Sequence, residues 1–153
     1  MATTRIVLAD DHAVVRAGLR NALTGQPDLA VVAEVGNGPD LMAAVREHTP
    51  DLIVIDVAMP DFEPVAAVRT FKTEYPGMRI LVVSAYADEG YLVGLLGAGV
   101  DGYHLKDQPL ADLQLAVQRV IEGERWVPAP LVDRLVHRQP TAPRATPVLT
   151  RRQ

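Results

Sequence analysis

Three apolar runs in this chain, and a fourth, weaker strand candidate, each lead into a residue able to do chemistry. Ile6-Val7-Leu8-Ala9 runs into Asp10 and Asp11, and Leu52-Ile53-Val54-Ile55 into Asp56. Ile80-Leu81-Val82-Val83 runs into Ser84, and Gly102-Tyr103-His104-Leu105 into Lys106. Three carboxylates, a hydroxyl and an ammonium are thereby offered at corresponding positions. The chain has no cysteine and no histidines at ligand spacing, so this set suits a hard, oxygen-seeking divalent cation such as Mg²⁺. A cation balancing carboxylates beside a lysine and a hydroxyl suits a phosphoryl group, whose oxygens need cationic and hydrogen-bonding partners. In that chemistry Asp56 is the central nucleophile, forming an acyl phosphate. A lone aspartate after a strand is ordinarily a turn or cap residue. Capping alone does not account for five such residues at four run ends.

The runs must be strands of one sheet for these groups to meet. Together with Leu29–Ala33 the first three are continuous and rich in β-branched residues, as expected of parallel strands covered by helices on both faces, and Gly102–Leu105 is a fifth, weaker strand candidate. Helical patterns lie between and after them, at about Val14–Leu23, Asp40–Glu47, Pro64–Tyr75, Glu89–Leu96 and Leu110–Glu122. The last shows Leu110, Leu113, Ala116, Val117, Val120 and Ile121 on one stripe. Strand then helix, five times over, specifies a doubly wound α/β fold with a five-stranded parallel sheet. Ligands of such sheets bind beyond the carboxyl ends of the strands, where Asp10, Asp11, Asp56, Ser84 and Lys106 would converge.

Composition narrows the function classes. The absence of cysteine excludes a disulfide framework, a thiol nucleophile and cysteine-liganded metal. The longest stretch without a charge is the eleven residues Gly90–Val100, short of the ~20 that span a bilayer. Thr4-Arg5 leads straight into the first strand, so no signal peptide is expected and the chain reads as soluble and cytoplasmic. The net charge of −4 is a poor footprint for a nucleic-acid surface. Three of the fifteen basic residues and none of the nineteen acids fall in residues 139–153, leaving −7 on the first 138.

Longer motifs surround the run ends. Leu8-Ala9-Asp10-Asp11-His12, Val15-Arg16-Ala17-Gly18-Leu19, and Asp56 followed by Met59-Pro60 resemble the receiver domain of bacterial response regulators. Leu81-Val82-Val83-Ser84-Ala85 and Gly97–Asp107 extend the resemblance, which is closest to the NarL/FixJ subfamily and covers roughly residues 5 to 123. It implies a flavodoxin-like strand order 2-1-3-4-5, with Asp56 as phosphoacceptor. It further implies Asp11 and Asp56 as direct Mg²⁺ ligands with the backbone carbonyl of Ala58, and Asp10 acting largely through water. Lys106 would hold the phosphoryl oxygens, Ser84 would hydrogen-bond one of them, and Tyr103 would stand at the aromatic switch position. Ala58 and Tyr86 fall where relatives tune dephosphorylation. The partners implied are a sensor histidine kinase and, on phosphorylation, a second copy of the chain, with no membrane.

The remaining segments divide the chain. Residues 1–123 form the expected receiver. Residues 124–138 form a following segment, with Trp126–Pro130 extended and anchored by Trp126, and a short helix over Leu131–Arg138. Residues 139–153, with Pro140, Pro143 and Pro147, have linker composition. Leu149-Thr150-Arg151-Arg152-Gln153 resembles the opening of a LuxR-type helix-turn-helix domain. The expected whole is therefore a transcriptional regulator that binds DNA only through a C-terminal domain missing from these residues. Asp61-Phe62-Glu63-Pro64-Val65 replaces the glycine-containing loop usual after Met-Pro in the family, while Pro64 suits the first turn of a helix. Gly36-Asn37-Gly38-Pro39 reads as a turn. His12 reads as lining or capping the first loop, and His48, His104 and His137 as surface or packing residues. Two other readings compete with the signalling receiver, which is not expected to be an enzyme. One is a receiver-like protein that works without phosphorylation, left open by the altered loop. The other is a Mg²⁺-dependent aspartyl-phosphate phosphohydrolase, which would want an acid where Ala58 stands.

Overall fold

The computed structural model describes residues 3–85 and 90–138, without the side chains of 134–138. Five strands, β1 (Thr4–Ala9), β2 (Leu29–Val35), β3 (Leu52–Asp56), β4 (Arg79–Ser84) and β5 (Gly102–Leu105), form one sheet in the order β2-β1-β3-β4-β5. Every pairing is parallel. Six helices follow the strands: α1 (Ala13–Thr24), α2 (Gly38–His48), α3 (Pro64–Glu74), α4 (Leu92–Ala98), α5 (Leu110–Ile121) and α6 (Ala129–Arg138). The doubly wound architecture and its strand order are those expected. None of these helices is long and apolar enough to cross a membrane.

Period-two alternation splits each strand between two cores. Val7, Ala9, Ile53, Ile55, Ile80, Val82, Tyr103 and Leu105 face α2, α3 and α4, meeting Leu41, Val45, Val68, Phe71 and Leu95. Ile6, Leu8, Leu52, Val54, Leu81 and Val83 face α1 and α5, meeting Leu19, Leu23, Leu113, Val117 and Val120. Burial on both faces is why these strands read as unbroken apolar runs.

Element boundaries follow local chemistry. Helix α2 starts two residues earlier than its apolar pattern suggests, because the Asn37 side chain caps it by accepting from Asp40 N at 2.8 Å. Pro64 opens α3 as expected. Helix α4 runs to Ala98 and ends on Gly99, whose φ of 105° suits glycine. The expected start of α4 at Glu89 lies outside the described residues, as do Tyr86 and the whole of residues 139–153. Helix α6 begins at Ala129, within the stretch expected to be extended, while Trp126 bridges to Gly102 in parallel.

His104 on β5 is 1% exposed, and its Nδ1 has no hydrogen-bond partner. Burial lowers its pKa from the usual 6.5, against the opposing charges of Asp112 and Asp107. The unfolded chain therefore takes up a proton that the folded chain refuses as pH falls below 6.5, so stability declines in that direction. His104→Leu should remove that decline and add about 1–2 kcal/mol by deleting an unsatisfied buried nitrogen. Urea unfolding at pH 5.5 and 7.5 checks this: the gain should be larger at pH 5.5, and an equal gain at both would contradict the burial argument.

Candidate functional site

The carboxyl ends of β1, β3 and β5 bring most of the expected residues to one sheet edge. Asp10 and Asp11 follow β1, Asp56 closes β3 and Lys106 follows β5. Asp10 is fully buried and Asp56 is 1% exposed. Lys106 Nζ lies 3.0 Å from Asp56 Oδ2 and 3.3 Å from Asp10 Oδ2; only the first is a hydrogen bond. Asp56 Oδ1 accepts from the backbone N–H of Ala58 at 3.2 Å. Ligand atoms of Asp10, Asp11, His12 and Asp56 all lie within 4.8 Å of one another.

Charge balance decides what this pocket wants. Three carboxylates face one ammonium, so negative charge is in excess. Burial raises the Asp56 pKa above its usual 3.8 despite Lys106 and Ala58, and Asp10 pushes the same way. Burial alone would lower the Lys106 pKa, but the Asp56 hydrogen bond and the charges of Asp56 and Asp10 outweigh it and raise it. A cation drawn to the carboxylates would relieve both effects. The donor set fits Mg²⁺: oxygen-rich, acidic, and including Asp10 Oδ2, a buried carboxylate oxygen without a hydrogen-bond donor.

Ser84 closes β4 fully buried, and its hydroxyl donates to Ala85 O at 3.0 Å instead of to Asp56. Its carbonyl accepts Lys106 N–H at 2.9 Å, which holds the start of the Lys106 loop against β4. Tyr103 is fully buried in the cluster that faces α2–α4.

Residues given no site role in the sequence reading complete the edge. His12 occupies the N-cap of α1 without a side-chain cap bond, and its Nδ1 lies 3.1 Å from Asp11 Oδ1. Arg16 donates through Nη1 to the backbone carbonyl of Asp10 and pairs through Nε with Glu34 at 3.4 Å, locking the end of β1. Its place in the Val15–Leu19 motif was visible; its partner was not. The altered loop after Pro60 packs on α2: Gly38 N–H donates to Pro60 O at 3.0 Å, and Asp61 takes a left-handed φ of 53°. Aspartate tolerates that conformation better than most residues, so the loop turns without the family's glycine.

The acidic edge and its fold match known proteins. The model of the response regulator receiver domain covers residues 6–118. The oxygen regulatory protein NreC of Staphylococcus epidermidis is 40% identical over 134 residues, spanning 87% of this chain and 62% of that protein. The chain thus spans 62% of the length of the NreC relatives it matches. A LuxR-family response regulator from Aurantimonas superposes with a TM-score of 0.82 at 29% identity, covering 90% of this chain and 98% of that one. The signal receiver domain of the NarL regulator of Mycobacterium tuberculosis gives 0.75 at 26%, covering 81% of this chain and all of that one. Strand order, acidic edge and sequence agree: the chain belongs to the response regulator receiver domain family, in the branch that contains the NreC and NarL regulators.

Proposed function

We propose that this receiver is switched by phosphorylation of Asp56, with a sensor histidine kinase as donor and a DNA-binding domain of a longer transcriptional regulator as output. The observation that carries the reading is the buried Asp56 carboxylate. It is held by Lys106 and the Ala58 N–H beside two further acids. Those two bonds orient the carboxylate that would act as nucleophile. Lys106 lies where it can follow the charge that develops on transferred phosphoryl oxygens. Asp11, Asp56 and the carbonyl of Ala58 would hold Mg²⁺, with Asp10 supporting them through water. Bound there, the ion supplies charge neutralisation that lets a dianionic donor approach three carboxylates. Ser84 and Tyr103 sit on neighbouring strands, where the hydroxyl can turn toward a phosphoryl oxygen and the ring can respond. A shifted two-state equilibrium, not turnover, is the outcome. Phosphorylation would favour pairing with a second copy, and location in the cytoplasm accords with the family.

The phosphohydrolase reading is less well supported, because Ala58 stands where a general acid would be wanted and is exposed without an acidic neighbour in sequence. The intact set at the sheet edge likewise disfavours a receiver that ignores phosphorylation. Intact-mass measurement with phosphoramidate and Mg²⁺ tests the proposal. One phosphoryl group per chain is expected, and a chelator should abolish it; uptake undiminished by chelation would refute the metal requirement.

A further inference from the structure

Beyond α5 the chain does not leave the domain but returns to β5 and α4. Arg125 donates from Nη2 to Leu96 O at 2.7 Å and from Nε to Val100 O at 3.2 Å, holding the C-terminal end of α4. Trp126 N–H donates to Asp101 O at 3.0 Å, and Trp126 O accepts Tyr103 N–H at 2.9 Å. Leu131, in the first turn of α6, is fully buried in the same cluster as Leu92, Leu95, Val100 and Tyr103, with Val127 packed alongside.

These attachments exceed what a connector needs. A connecting segment ordinarily runs over the surface with its backbone solvated. Here three consecutive features bind one helix end, one strand edge and one core. Helix α4 has seven residues, among them Gly94 and Gly97, so it is too short to hold itself and depends on packing and its C-terminal partners. A guanidinium on the Leu96 carbonyl, in its last turn, also complements the helix dipole. Strand β5 carries Lys106 immediately after its end, and Lys106 bridges Asp56 and Asp10. Strand β5, which leads into Lys106 beside Asp56, is therefore also the strand to which Trp126 is bonded.

We propose that Arg125–Leu131 is a strap that reads the Asp56 pocket through β5 and α4 and passes its state to α6. The proposal rests on Asp56 being the phosphoacceptor. New phosphoryl oxygens would draw Lys106 away from its present pair, shifting β5 and the end of α4. The strap, bonded to both, moves with them and resets the start of α6. Linkage makes this reciprocal: if filling the pocket moves the strap, loosening the strap changes affinity at the pocket.

The test uses beryllofluoride with Mg²⁺ as the phosphoryl mimic on the whole chain, with calorimetry reporting binding. Trp126 is the sole tryptophan, so its emission reports the strap directly, and hydrogen exchange of residues 129–138 reports α6. Beryllofluoride should change both, and Arg125→Ala, a change at an exposed residue, should alter its affinity about fivefold or more. Normal binding with silence in any one of these three readouts overturns the strap and leaves the phosphoacceptor reading intact. If wild type binds no beryllofluoride, the phosphoacceptor reading falls and the strap with it.

Discussion

Lys106→Met will slow phosphoryl uptake by about 10²–10³-fold and will make the stability of the protein depend on Mg²⁺. The first effect is the usual cost of removing one group that stabilises charge developing in a transition state. The second follows from the pocket's charge balance. Lys106 is the cation that faces Asp10 and Asp56, at 3.3 and 3.0 Å. Breaking a fully buried pair costs roughly 3–5 kcal/mol. Lys106 is 21% exposed, so a smaller loss of about 2 kcal/mol is expected at neutral pH. The sign with pH is fixed by Asp56, whose folded pKa is already raised above 3.8 and will rise further without its partner. The folded state then binds more protons than the unfolded state, so stability falls as pH rises through that range. Urea unfolding should show the variant weakest at neutral pH, recovering in mild acid and with millimolar Mg²⁺. A variant as stable as wild type under every condition would contradict the charge balance described for the pocket.

Gly38→Ala will destabilise the protein by about 2 kcal/mol although alanine is the better helix former. A methyl on Gly38 would land on the Asp61 carbonyl oxygen and press toward the Cα of Phe62. Backbone, unlike the end of a flexible side chain, cannot step aside cheaply. The displaced loop would carry with it Pro60, whose carbonyl accepts the Gly38 N–H, and disturb Ala58 two residues before it. Phosphoryl uptake should therefore slow along with the loss of stability. Denaturant midpoints give the first effect and single-turnover labelling the second. An alanine variant with wild-type midpoint would show that the loop does not rest on α2 as described.

The parts of this molecule legible in its sequence are those fixed by one element at a time. Apolar runs such as Leu52–Ile55 announced doubly buried strands, and the polar residues at their ends announced the sheet edge that holds Asp10, Asp56 and Lys106. Helix α5 was readable to within a residue because its stripe is continuous. What escaped depends on contacts between distant segments. No spacing rule connects Arg16 to the Asp10 carbonyl, Gly38 to Asp61, or Arg125 to the end of α4. The start of α2 was readable in principle from Asn37 and Pro39, but those residues fit a turn equally well. His104 read equally as a surface or a packing residue; that it is buried with an unpartnered nitrogen depends on tertiary contacts no local pattern shows.

The central claim is that Asp56 receives the phosphoryl group, and chemical trapping of the labelled residue tests it most directly. Wild-type protein treated with phosphoramidate and Mg²⁺, reduced with borohydride and digested should yield homoserine at position 56 and at no other aspartate. Asp56→Asn should show no phosphoryl gain by intact mass. Trapped homoserine at Asp10 or Asp11, or equal labelling of Asp56→Asn and wild type, would contradict the account.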